Sequence, residues 1–283
     1  MTRKTYPSDC SDEEWAFAAP YLALMPLDAP QRTHELCEVY NALRYRNPCI
    51  RWYLLRTGIQ YRFMPHDLPP WQIVEQQAKR WIDHHCFENM VHDLREVLRL
   101  EQGINAQPTG SIIDSRFASS TPESGSEAAY NGAKRKSGMK IHAVVDTLGH
   151  LMALCVSAGN VDGRAAVWEL CESVQEVTGQ NVEVMFADQG YTGEAVQDDA
   201  NWNTIDLVVV KRPEAVKGFV LLPKRWVRLK PVRCWVRVKK VERTFAWLMF
   251  QRRLARDCEL LEATTDNLVY IAMIRLTLKS LAC

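Results

Sequence analysis

The chain has 283 residues, 47% hydrophobic and 24% charged, which is enough apolar material for one or two cored domains and too much for a disordered polymer. Its net charge is only +1, its nine cysteines include no Cys-x-x-Cys pair, and no apolar run reaches the roughly 20 residues that cross a bilayer. A zinc ribbon and a helical membrane span are excluded, and because polar residues follow the basic start Met1-Thr2-Arg3-Lys4, a cytoplasmic protein with reduced thiols is expected.

Ser11-Asp12-Glu13-Glu14 ahead of Trp15 is a capping box, so a helix starts there. Helical patterns follow over 35–45, 71–84 and 87–100, divided by Pro48 and by Asp67-Leu68-Pro69-Pro70. Residues 1–104 therefore read as a small all-α domain. Short helices joined by turns suit a helix-turn-helix-like reader of DNA ends, and suit a plain packing domain as well.

After the linker at 101–110 the period becomes strand-like. Residues 111–114 read as a short buried strand. Residues 139–145 and 151–157 read as a hairpin across Asp146-Thr147-Leu148-Gly149. Residues 164–177 are helical, 182–187 form an apolar strand ending at Asp188, 207–210 form another strand, and 242–256 and 267–281 read as closing helices. This is an α/β order with mixed strand directions over 105–283.

Three carboxylates stand at element edges: Asp114 in Ile112-Ile113-Asp114-Ser115, Asp188 in Phe186-Ala187-Asp188-Gln189-Gly190-Tyr191, and Glu242 in Val241-Glu242-Arg243-Thr244. Converging, they can hold two Mg²⁺ ions about 3.5–4 Å apart, the arrangement of metal-dependent phosphodiester chemistry. All-oxygen ligands suit Mg²⁺, with Mn²⁺ as a substitute. Each also has a plain structural reading, as a strand-end turn residue or a first-turn helix acid. Asp146 is the internal rival, but hairpin turns favour Asp for local hydrogen bonding. Asp83, His84, His85, Cys86 and His92 match no four-ligand zinc spacing.

Charge is unevenly spread. Between Ile205 and Arg256 stand fifteen Lys or Arg and three acids, a local +12 on a chain whose remainder sums to −11. A basic lobe interleaved with Trp226 and Trp235 points to a polyanion, and Lys224, Arg225, Arg228, Arg237, Lys239, Lys240 and Arg243 are its candidate phosphate contacts. Lys134, Arg135, Lys136 and Lys140 form a second candidate clamp. Arg253 joins them because, on one continuous helix, it lies about 20° in azimuth from Glu242.

In order along the chain, Tyr6-Pro7-Ser8-Asp9, Asp12-Glu13-Glu14-Trp15, Leu55-Arg56-Thr57-Gly58 and Pro65-His66-Asp67-Leu68-Pro69-Pro70-Trp71 resemble motifs of bacterial DDE-type insertion-sequence transposases of the insertion-sequence-five group. Ile113-Asp114-Ser115, Val145-Asp146-Thr147-Leu148-Gly149, Ala187-Asp188-Gln189-Gly190-Tyr191-Thr192-Gly193 and Val241-Glu242-Arg243-Thr244-Phe245-Ala246-Trp247 continue the resemblance. It implies an RNase H-like mixed sheet flanked by helices, with Asp114, Asp188 and Glu242 as metal ligands. It also implies Mg²⁺-dependent cleavage and strand transfer at the terminal inverted repeats of double-stranded DNA, and a homodimer on paired ends.

Two surplus segments depart from the family pattern. Residues 46–53 interrupt a helix, and residues 228–240 intervene between Arg225-Trp226-Val227 and Val241-Glu242; Val238 stands where related enzymes often carry a basic residue. Arg225-Trp226-Val227-Arg228-Leu229-Lys230 and Cys234-Trp235-Val236-Arg237-Val238-Lys239 echo one another. The insertions fit surface hairpins, since lengthening an exposed loop costs only about 0.6 kcal/mol per doubling. They fit equally a DNA-binding remnant that no longer cuts. A nuclease of the same fold without strand transfer is a third reading.

Overall fold

The computed structural model describes residues 4, 9–24, 33–44, 55, 60–122, 124–126, 128–210, 226–228, 235–237 and 240–281. The chain forms two compact units, Met1–Leu94 together with Leu248–Cys283, and Arg95–Trp247. The expected boundary at 104/105 assigned the last helices to the second unit. They group instead with the first, because the final helix packs on helices of that unit.

The first unit is helical. Helix α1 (Asp12–Leu22) carries the capping box, with Ser11 Oγ accepting from Glu14 N and a Glu14 oxygen accepting from Ser11 N. Helix α2 (Leu36–Arg44) is tied to it by Arg44, whose guanidinium lies 2.7 Å from Glu14 Oε2 and over the Tyr40 ring. Helix α3 (Trp71–Asp83) contributes Trp81, fully buried among aromatic rings and donating from its indole nitrogen to Leu22 O at 2.9 Å. Helix α4 (Cys86–Glu101) begins in this unit and crosses into the next.

The second unit is built on a mixed sheet. Strand β1 (Gly110–Ser119) lies between β3 (Lys136–Asp146), antiparallel, and β5 (Val184–Ala187), parallel. The outer edge of β3 takes β4 (Leu151–Ala158) along 139–145 and the short β2 (Ala129–Asn131) along 136–138. Strand β6 (Asp206–Val209) pairs parallel with β5. Three antiparallel lanes followed by two parallel ones, with helices packed on the sheet, is the RNase H-like arrangement.

Parallel strands need crossover connections, and helices α5 (Val167–Thr178) and α6 (Glu194–Trp202) supply them. Their apolar stripes cover one sheet face. Ile113, Val144, Met185, Ala187 and Leu207 from the strands share a core with Leu170, Val174, Val196 and Ala200 from the helices. Each large side chain so buried contributes about 1.5–3 kcal/mol.

Two glycines let the three lanes meet where β2 gives way to β4. A Cβ on Gly138 would collide with Ala118 O, and one on Gly159 would collide with Gly138 O and lie 2.7 Å from Ala129 O. Past β6, strands β7 (Trp226–Arg228) and β8 (Trp235–Arg237) form a separate antiparallel ribbon, register Trp226↔Arg237, Val227↔Val236 and Arg228↔Trp235. The echoed triplets thus pair with each other.

Helix α7 (Lys240–Met249) then stops. Residues Phe250–Gln251 leave helical geometry before the short α8 (Arg252–Ala255), and α9 (Glu262–Leu281) closes the chain. The single helix expected over 242–256 is therefore broken.

Candidate active site

Strand pairing leads two of the three carboxylates out of neighbouring parallel strands. Ile112 of β1 faces Phe186 of β5, the last pair of that ladder; Asp114 follows two residues on within β1, Asp188 stands just past the end of β5, and the charge of Asp188 acts on Asp114. Side chains alternate along strands, so both aspartates follow Ile112 and Phe186 onto the face opposite the α5/α6 core. Asp114 also lies opposite Ala143 of β3, a small neighbour that leaves room around the carboxylate. Asp188 ends its strand and opens a 3-10 turn, accepting from Gly190 N at 2.9 Å.

The third carboxylate sits in the first turn of α7, whose buried positions Val241, Thr244, Phe245 and Leu248 follow a helical stripe that leaves Glu242 exposed. The helix start is anchored on the β3–β4 turn: Thr244 Oγ1 donates to Gly149 O at 2.7 Å and Arg243 Nη2 to Leu148 O at 2.8 Å.

Asp146 holds that turn. Its Oδ1 accepts from the backbone nitrogens of Leu148, Gly149 and His150, each at 2.9 Å, and its Oδ2 accepts from Arg99 Nη1 at 2.8 Å. Although burial opposes its ionisation most, the His150 and Arg99 bonds and the turn amides hold the carboxyl down at about 2. All of its lone-pair capacity is spent locally, so the rival carboxylate is a turn-former.

Asp114 behaves in the opposite way. Burial raises its pKa to about 6; the bond from Ser115 N opposes that rise, and the charges of Asp188 and Glu242 add to it. A carboxylate that resists ionising beside two like charges is one that a cation would relieve. The donor set, oxygen-only and anionic, fits a hard divalent ion. As placed, the three do not close into a cage: among the described residues no trio of His, Cys, Asp or Glu is close enough to grip an ion.

The candidate phosphate contacts divide. Lys134, Arg135 and Lys136 are exposed on the β2–β3 turn, where Arg135 takes a left-handed φ of 54° and Asn131 clamps the loop by accepting from Lys134 N and donating to Gly159 O. Lys140 differs, since its Nζ donates to Val161 O. Arg243 stacks on Trp247 besides its bond to Leu148. Lys240 opens α7. Arg228 and Arg237 occupy β7 and β8, whereas Lys224, Arg225, Lys239 and Val238, like the 46–53 surplus, lie outside the described residues.

Arg253 needs a correction. With the helix broken, the azimuth that aligned it with Glu242 no longer applies. It belongs to the first unit, pairs with Glu259 at 2.6 Å and lies over Tyr61. Sequence reasoning missed Tyr191, Ser115 and Gly163, which crowd together beside the aspartates; the only signal was the nearness of Ser115 and Tyr191 to Asp114 and Asp188 in the chain.

The sheet order and the helices packed on it define a protein of the RNase H-like class. Residues 105–277 match the family "Transposase DDE domain" and residues 10–91 match "Putative transposase of IS4/5 family". The chain belongs to the DDE transposases, of the IS4/IS5 type. No curated protein matches it significantly. A solved cryo-EM structure, the piggyBac transposase synaptic complex with hairpin DNA, is similar over 99% of this chain and 68% of that one, at 12% identity and a TM-score of 0.39, too slight a likeness to carry argument. Among the described residues no helix is long and apolar enough to cross a membrane.

Proposed function

We propose that the chain cleaves the terminal inverted repeats of its own insertion sequence to 3′-hydroxyls and transfers them to target DNA, with Asp114, Asp188 and Glu242 holding Mg²⁺ or Mn²⁺. The observation that supports the reading is the parallel pairing of β1 with β5, whose last pair, Ile112 with Phe186, stands two residues before Asp114 and Asp188, together with the Asp114 carboxyl raised by burial and by both other carboxylates. A bound divalent ion supplies charge stabilisation to the phosphoryl group and acidifies water. The protein's part is to hold three oxygen ligands at fixed positions and to steer the duplex.

Steering falls to the cations. Lys134, Arg135 and Lys136 on a clamped turn, together with the basic ribbon tract, suit phosphate contacts that fix register without reading sequence. Lys140, Arg243 and Arg253, already bonded within the protein, suit this role less. The helical unit of α1 to α3 is the proposed reader of the repeat, and two copies would pair the ends.

The test is Mg²⁺-dependent cleavage of a duplex carrying the flanking inverted repeat, comparing the native chain with Glu242→Gln. Native cleavage and joining, lost in the variant while DNA affinity stays within about twofold, supports the assignment, since losing a metal carboxylate removes chemistry rather than phosphate binding. Nicking without joining would make the protein a nuclease. A native chain that binds and never cuts would make it a DNA-binding remnant.

A further inference from the structure

Tyr191 presents a buried hydroxyl that the proposed reaction does not use. The residue is 3% exposed, and its Oη has no hydrogen-bond partner among the described residues. The side chain of Ser115 lies close to it. Both side chains crowd the backbone of Gly163: a Cβ built there would stand 3.3 Å from Ser115 Oγ and 3.7 Å from Tyr191 Oη. Buried hydroxyls without partners are rare in folded proteins and call for a reason.

The chain connectivity supplies one. Tyr191 closes the turn opened by Asp188, its N donating to Asp188 O at 3.2 Å. Ser115 follows Asp114 directly, and its N donates to Asp114 Oδ1 at 2.7 Å. Strand alternation sends Ser115 to the sheet face opposite Asp114, where Tyr191 meets it. The ring with its hydroxyl, which stands against Gly163 beside Ser115 Oγ, therefore spans from behind the two chain segments that carry the aspartates, and the hydroxyl sets the length of that span.

We infer that Tyr191, backed by Ser115 and Gly163, is a positioning residue that sets the separation of Asp114 and Asp188 for divalent metal. This rests on the metal-site reading above. A purely structural tyrosine makes a contrary forecast, since removing one unpartnered buried oxygen would then be neutral or stabilising and leave Mn²⁺ affinity at the native value.

The experiment titrates Mn²⁺ alone into the full chain, followed by electron paramagnetic resonance, for the native protein, Tyr191→Phe, Ser115→Ala and Asp188→Asn, with thermal melts in chelator alongside. Tyr191→Phe is expected to weaken Mn²⁺ binding about tenfold, as loss of supporting groups around metal sites does, with an unchanged or higher melting temperature. Ser115→Ala should shift it in the same direction. Native Mn²⁺ affinity in both variants, with Asp188→Asn binding poorly, overturns the positioning role and leaves the metal site standing. Native affinity in Asp188→Asn removes the metal site itself, and the inference with it.

Discussion

Two aspartates in this protein illustrate how the surroundings of a carboxyl decide its use. Asp146 receives four donors and is held at about 2, whereas Asp114 receives one backbone donor, faces two like charges and rises to about 6. For Asp114 the folded state binds its proton more tightly than the unfolded chain, whose value is 3.8. Its contribution to stability is therefore present below about pH 4 and lost as pH rises through about 6. Asp114→Asn, which cannot ionise, should melt higher than the native chain at pH 7.5 in chelator and match it at pH 4. An equal difference at both pH values would refute that electrostatic account.

At the scale of elements, the β3–β4 turn is the joint on which the start of α7 rests. Asp146→Ala leaves the buried Arg99 guanidinium without its carboxylate and strips three turn amides, so a loss of about 3–5 kcal/mol in chemical denaturation at pH 7 is expected. Asp146 itself is held below its unfolded value of 3.8, so its contribution is present above about pH 4 and disappears as pH falls through about 2. Denaturation curves at pH 7 and pH 2 should separate the two regimes. Gly138→Ala tests the crossing of lanes, because its Cβ would strike backbone rather than a movable side chain; destabilisation of about 3 kcal/mol, or insoluble expression, is expected.

Much of this element plan was legible in the sequence, and the failures are physical. The capping box, the helix from Trp71 and the Asp146 hairpin announce themselves through local chemistry, and they stand where expected. Strand β1 runs on to Ser119, past the end expected at Asp114, because the β3 ladder pairs every residue to Gly138. The break after α7 has no Gly or Pro to signal it; a buried Gln251 and the Arg253–Glu259 pair follow there instead. The Tyr191–Ser115 approach could not be read from the sequence, since only the β1–β5 register brings residues so far apart in the chain together.

Across the molecule, charge is the organising feature. The local +12 over 205–256, on a chain of net +1, predicts DNA binding that weakens steeply with salt. Replacing Arg228 and Arg237 with Gln should lower affinity alike for repeat-bearing and random duplexes. The slope of log K against log salt should fall by about 1 for each phosphate that an arginine no longer neutralises, measured by fluorescence anisotropy. A weakening confined to repeat-bearing DNA would instead make these arginines sequence readers.

The ribbon of β7 and β8 bears on how such a chain can change length without losing its chemistry. Trp226 and Arg237 are ladder partners, so their α-carbons lie only about 5 Å apart however many residues separate them. A repeated segment that folds back on its own copy leaves the chain's path and returns to it at nearly the same place, like a side-track rejoining its line. Growth by such self-pairing is geometrically silent at Asp188 upstream and Glu242 downstream. The number of residues between those two carboxylates is therefore free to drift without moving the proposed site.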